Sequence, residues 1–238
     1  MIDQQLVRDF MDGFYGYGHL GANYWFIGLE EGDIADLAEF ERRLKAWDSL
    51  DRRQLADIRL FHRQLGGRDW FGTPTPLQRT WRPLIRIRYV AEGLPFDTAE
   101  LKNYQAVELA SSQGDTALLE LRPLPARKKS DWIYGSLDLP ELRTREQYEA
   151  IMTPRRRERI IRLIDDCHPR AVVTYGDVLP WRQALDAHTR LNAKAWTARR
   201  GATVIVCTHH PEGARSNGHW DEIGRFIREQ PGDATIGP

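Results

Sequence analysis

The chain has 238 residues, 41% of them hydrophobic and 10% aromatic, enough for one substantial core and for a single α/β domain rather than two. Its 34 basic residues balance its 34 acidic ones, so net charge announces no nucleic-acid partner, although local basic clusters can still attract phosphate. Cys167 and Cys207 lack CxxC spacing, which argues against a disulfide scaffold, a zinc site or an iron–sulfur cluster; with no apolar signal core and no run near the roughly 18 apolar residues of a membrane span, a cytoplasmic protein without membrane contact is expected.

The first predicted element is an amphipathic helix through Leu6, Phe10 and Phe14. Gly16, Gly18 and Gly21 then spell GxGxxG. A dinucleotide loop of that form follows a strand and opens a helix. Here the glycines follow a helix and precede the apolar run YWFIGL from Tyr24, so a connecting loop is expected and a nucleotide cradle is not. Three further runs read as buried strands: ALLEL from Ala117, AVVTYG from Ala171 and TVIVCT from Thr203. Helical patterns at 35–47, 54–65, 80–87 and 154–167 lie between them. In the last, Thr153 is the expected N-cap, Pro154 lies in the first turn, Ile160, Ile161, Leu163 and Ile164 form the buried face, and Arg155, Arg156, Arg157 and Arg159 form a solvated one. The alternation predicts an α/β fold: one domain over 1–238, in three α/β/α layers around a central, mainly parallel four-stranded sheet, with a helical insertion at about 34–66.

Parallel strands bring their carboxyl-end loops to one edge, where ligands bind. Three of those loops are distinctive: Gly28-Leu29-Glu30-Glu31-Gly32-Asp33, Glu120-Leu121-Arg122-Pro123-Leu124-Pro125 and His209-His210-Pro211-Glu212-Gly213-Ala214-Arg215-Ser216-Asn217. Taken singly, Glu30 and Glu31 read as solvated carboxylates at a helix amino end, His210 as a loop histidine, and Glu120 as the partner of an arginine such as Arg122.

In this order the loops resemble those of the uracil-DNA glycosylase superfamily. GLEEG is similar to its GxDPY and GxNPG motifs, HPEGARSN to its HPSPxx motif, and ELRPLP to the N-x-C-P-L form of its single-strand-selective branch. The likeness spans Tyr24 to Ile227. It departs from the family at Glu30, where relatives carry Asp or Asn, at Glu31, where they carry Pro, and at Glu120, where they carry Asn.

The resemblance implies a monomeric DNA glycosylase that flips out a pyrimidine and hydrolyses its glycosidic bond without metal or cofactor. Glu30, with Glu31, would stabilise the cationic sugar and orient water, and His210 would hydrogen-bond the pyrimidine O2, with His209 as competitor. A loop carboxylate at Glu30 is expected to matter for turnover and little for stability. An ionised Glu120 only accepts hydrogen bonds, which suits the amino group of cytosine. Gly32 leaves the C5 side open, so a bulky modified cytosine, such as the glucosylated 5-hydroxymethylcytosine of some phages, is the expected substrate. Phe71, preferred to Trp70 in GRDWFG, would stack on the base, and core packing is the alternative for both. Arg127, Lys128 and Lys129, followed by Trp132 and Tyr134, would meet phosphate, as would Ser216, while Arg215 and Asn217 would enter the duplex. The rival readings are a non-catalytic nucleic-acid-binding module, a uracil-type repair glycosylase, and a magnesium-dependent nuclease using Glu30, Glu31, Asp33 and Glu120.

Overall fold

A computed structural model describes residues 2–32, 34–66, 69–72, 74, 76–128, 130–211 and 216–231. Helix α1 (Gln4–Gly13) opens the chain because Asp3 caps it, its carboxylate accepting from the N–H groups of Gln5 and Leu6, and because Val7, Phe10 and Met11 bury one face. Strand β1 (Gly16–Tyr17) follows, then β2 (Tyr24–Gly28), buried at all five positions. Next come α2 (Leu37–Ser49), β3 (Leu55–Ala56), α3 (Ile58–Leu65), α4 (Trp81–Glu92), α5 (Thr98–Val107) and β4 (Thr116–Glu120). The remainder is α6 (Arg145–Cys167), β5 (Ala171–Tyr175), α7 (Val178–Ala184), the antiparallel β6 (Thr189–Asn192) and β7 (Ala195–Arg200), β8 (Thr203–Thr208) and α8 (Asn217–Glu229).

Among the described residues the sheet is mixed and has eight strands, in the order β3-β1-β4-β2-β5-β8-β7-β6, not the four expected. The four strands seen as apolar runs form its centre and are mutually parallel, with Phe26 opposite both Leu118 and Val173, and Val173 opposite Val206. Their continuous apolar character follows from burial on both faces. Tyr24 and Phe26 join one buried cluster with Phe10, Phe61, Leu84 and Trp220. Trp25 and Ile27 join the other with Ile160, Ile164 and Trp181.

The added strands escape a periodicity reading for physical reasons. β1 and β3 have two residues each, too few to display alternation, and β6 is exposed or half-buried throughout. β1 also resolves the glycine motif. A Cβ at Gly16 would lie 2.1 Å from the Leu118 carbonyl oxygen, and one at Gly18 2.7 Å from that of Thr116, both at positive φ (131° and 106°). These glycines let β1 run against β4, and the nearest thing to a nucleotide cradle is a strand pairing.

Two helix expectations need correction. The pattern at 54–65 divides into β3 and α3, because Leu55 and Ala56 pair with β1 and Asp57 caps α3 at the N–H groups of Arg59 and Leu60. Helix α6 starts at Arg145, nine residues before Pro154, since the Thr144 hydroxyl oxygen accepts from the Gln147 N–H at 3.2 Å. Pro154 lies inside it, and Thr153 is not its cap. Arg156 is not solvated either: only 2% exposed, it donates to the backbone oxygens of Glu120, Leu121 and Met11 and lies 3.8 Å above the Tyr15 ring. Segment 34–66 holds α2 and α3 with the edge strand β3 between them.

A candidate active site at the carboxyl edge of the sheet

Backbone hydrogen bonds continue past the strand ends and set the loops. Leu121 N–H donates to the Gly28 oxygen at 3.0 Å, Arg122 to Leu29 at 2.7 Å and Ala126 to Glu31 at 2.9 Å. The turn after β2 is thereby fastened to the turn after β4, while Gly176 N–H to the Thr208 oxygen, at 3.1 Å, holds the ends of β5 and β8 together. Between them opens a crevice of about 790 Å³, lined by Glu30, Glu31, Gly32, Glu120, Arg127 and His210 among the residues expected there. Tyr17, Arg42, Arg43, His62, Trp70, Trp81 and Tyr175 complete much of its wall.

The three carboxyl groups have different surroundings. Glu30 is ion-paired through one oxygen to Arg122 at 3.0 Å and through the other to Arg145. Those arginines also share Glu149, with Arg145 at 2.7 Å, so the turn carboxylate belongs to a four-membered network reaching α6. Glu31 Oε2 accepts from Arg43 at 2.6 Å, an arginine of α2 that is 4% exposed, while Oε1 is buried without a hydrogen-bond partner. Burial by itself would raise the Glu31 pKa; the Arg43 guanidinium outweighs it and holds the carboxyl below its ordinary value. Glu120 Oε2 is likewise buried and unpartnered. Burial, then the negative charges of Glu31 and Glu30, push the Glu120 carboxyl well above the usual carboxylate range. The ionised Glu120 expected from sequence is thus not the form this environment favours.

The aromatic and basic candidates divide similarly. Trp70 lines the crevice and Phe71 does not: Phe71 stacks on Trp81 at 5.8 Å and lines a smaller adjoining cavity of about 440 Å³ with Arg59 and His62. His210 lines the crevice, its ring 5.7 Å from Tyr175, whereas the exposed His209 faces Trp196 at 6.2 Å. Lys128, Ser216 and Asn217 are exposed and away from its wall. Trp132 and Tyr134 are spent on packing, their side chains donating to the backbone oxygens of Leu142 and Pro125. Lys129, Arg215 and Asp33 lie outside the described residues.

Sequence reading missed Arg42, Arg43, His62 and Tyr175. Tyr175 had a signal, since it ends the third apolar run at the same edge as Glu120. Arg43 and His62 had none, because helices α2 and α3 reach the crevice only through tertiary packing. His62 is driven below its ordinary pKa by burial, against the pull of Glu31. Among the described residues, no three His, Cys, Asp or Glu side chains are grouped as a metal ion would require, and no helix is long and apolar enough to cross a membrane.

The fold and site define an α/β protein with a deep, charged crevice at the switch from strands to loops. No protein-family model and no curated protein matches the chain.

Proposed function

We propose that this protein is a DNA glycosylase that takes an extruded pyrimidine nucleotide into the crevice and hydrolyses its N-glycosidic bond. The observation that carries the reading is that Glu31, Glu120 and His210, from the ends of three separate strands, line one cavity. Cleavage breaks the bond from C1′ to the base, whose electron pair leaves with the base, while water adds to C1′ and loses a proton that ends on the departing base. Such a reaction needs an anion near the sugar and a donor near the departing base.

Glu31 supplies the anion. Arg43 keeps it ionised and leaves Oε1 uncommitted, able to face the cationic sugar or a water. Glu30, occupied on both oxygens by arginines, is a positioning residue in this reading. His210 donates to the base oxygen, and Trp70 and Trp81 offer a stacking wall beside it. Arg127 and Arg42, both exposed at the crevice, suit the phosphates. A Cβ at Gly32 would meet nothing within 4 Å, so space is available for a substituent on pyrimidine C5. A pyrimidine with a bulky C5 group, such as glucosylated 5-hydroxymethylcytosine in phage DNA, is the substrate class that uses it.

The test is incubation with plain and C5-modified DNA, alkali treatment to reveal abasic sites, and mass spectrometry of the released base. Release of a C5-modified base with the untreated backbone intact supports the reading. DNA binding without release from any pyrimidine would instead establish a non-catalytic binding module, the reading favoured by the arginines that engage both Glu30 and Glu31.

A further inference from the structure

Building on the glycosylase reading, we propose that the Glu120 carboxyl and the Tyr175 hydroxyl together form the base-reading surface, with Glu120 serving as hydrogen-bond donor and acceptor at once. Both groups project over the last residue of β2 from the two strands that flank it. A Cβ at Gly28 would lie 2.8 Å from the Tyr175 hydroxyl and 2.9 Å from Glu120 Oε2. The missing side chain is what lets the two groups converge. Both line the crevice, and Tyr175 is 5% exposed with its ring against His210.

The charges around Glu120 account for its proton. Two anions, Glu30 and Glu31, face it from the turn after β2. Two cations are near, Arg43 from α2 and Arg156 from α6, and both are engaged elsewhere: Arg43 donates to Glu31, and Arg156 to the Glu120 backbone oxygen at 2.9 Å instead of to its carboxyl. A buried carboxyl with no cation paired to its own oxygens and beside two anions keeps its proton, which agrees with its strongly raised pKa.

The neutral group changes what the crevice can read. A protonated carboxyl offers an O–H donor beside a C=O acceptor, the same pair as an Asn amide. Against cytosine, the O–H meets N3 and the C=O accepts from the exocyclic amino group. Against uracil, the C=O accepts from N3–H and the O–H meets O4. Glu120 therefore accommodates either pyrimidine edge, and its charge does not select cytosine. Raising the pH through its folded pKa removes the donor and places a third anion beside Glu30 and Glu31, so base binding should weaken toward alkaline pH.

The experiment uses the full chain and oligonucleotides carrying one 2′-fluorinated cytidine or uridine, whose glycosidic bonds resist cleavage, with infrared difference spectra of wild type against Glu120→Gln. Expected are a protonated-carboxyl band assigned to Glu120 at neutral pH and wild-type affinity for both oligonucleotides that falls as pH rises. Glu120→Gln, whose amide keeps a donor beside an acceptor at every pH, should lose the pH dependence. Glu120→Ala and Tyr175→Phe should each lose about tenfold, the scale of one hydrogen bond. An ionised Glu120 at neutral pH, or Glu120→Ala binding like wild type, overturns the pairing while leaving the glycosylase reading in place. Wild type binding neither oligonucleotide at any pH overturns both.

Discussion

Glu30 Oε2 stands 3.0 Å from Arg122 Nε, so a carboxylate from the turn after β2 and a guanidinium from the turn after β4 are locked side by side at the crevice wall. Arg145 closes on the other Glu30 oxygen from α6. The pair adds a side-chain link between two loops that backbone hydrogen bonds already join.

Glu30→Gln should therefore lower stability, by about 2 kcal/mol, because it leaves two largely buried arginines sharing Glu149 alone. This reverses the expectation of a dispensable loop carboxylate. Urea unfolding checks it: a midpoint equal to wild type would mean that the network contributes nothing.

Glu31→Gln should reduce base release by about 100-fold or more in single-turnover assays, since the amide cannot supply the anion. The pH profile carries the same information. A carboxyl whose folded pKa lies below its ordinary 4.5 stays charged above that value and loses its charge only as pH falls through the lower folded one. Turnover should accordingly stay level on the acid side past pH 4.5 and decline only as the pH falls through the lower folded value. Undiminished release by Glu31→Gln would take this residue out of the chemistry.

Arg156→Lys should cost about 1–3 kcal/mol, because an ammonium cannot fan across the oxygens of Glu120, Leu121 and Met11 as the guanidinium does. Chemical denaturation measures the loss. Affinity for pyrimidine-bearing DNA should fall with it, since the same arginine anchors the backbone of Glu120.

Gly28→Ala should fold, since the residue has no positive φ and the atoms in its way are side-chain ends. Crowding of this kind costs about 1–3 kcal/mol. Its main effect should be on the site: with Tyr175 and Glu120 pushed apart, base release should drop about tenfold or more. Wild-type release together with a wild-type melting point would show that the two groups need not meet there.

The sequence by itself determined the four central strands, because strands buried on both faces must be apolar throughout, and it marked their carboxyl-end loops as unusually rich in acids and histidine. It also separated GxGxxG from a cofactor loop, since the order of helix, glycines and strand is a local property. The edge strands and the burial of Arg156 were decided only by tertiary contacts: two residues of β1 have no period to read, and one arginine in a basic run turns inward because three carbonyl oxygens and a tyrosine ring await it. The carboxylates make the same point. Glu30, Glu31 and Glu120 are alike as letters, and what each is available for is set by its neighbours in space: Arg122 and Arg145 hold Glu30, Arg43 holds Glu31, and Glu120 is buried beside the other two carboxylates. Electrostatics within a crevice depends on which charges meet across it, and that is a property of the folded molecule alone.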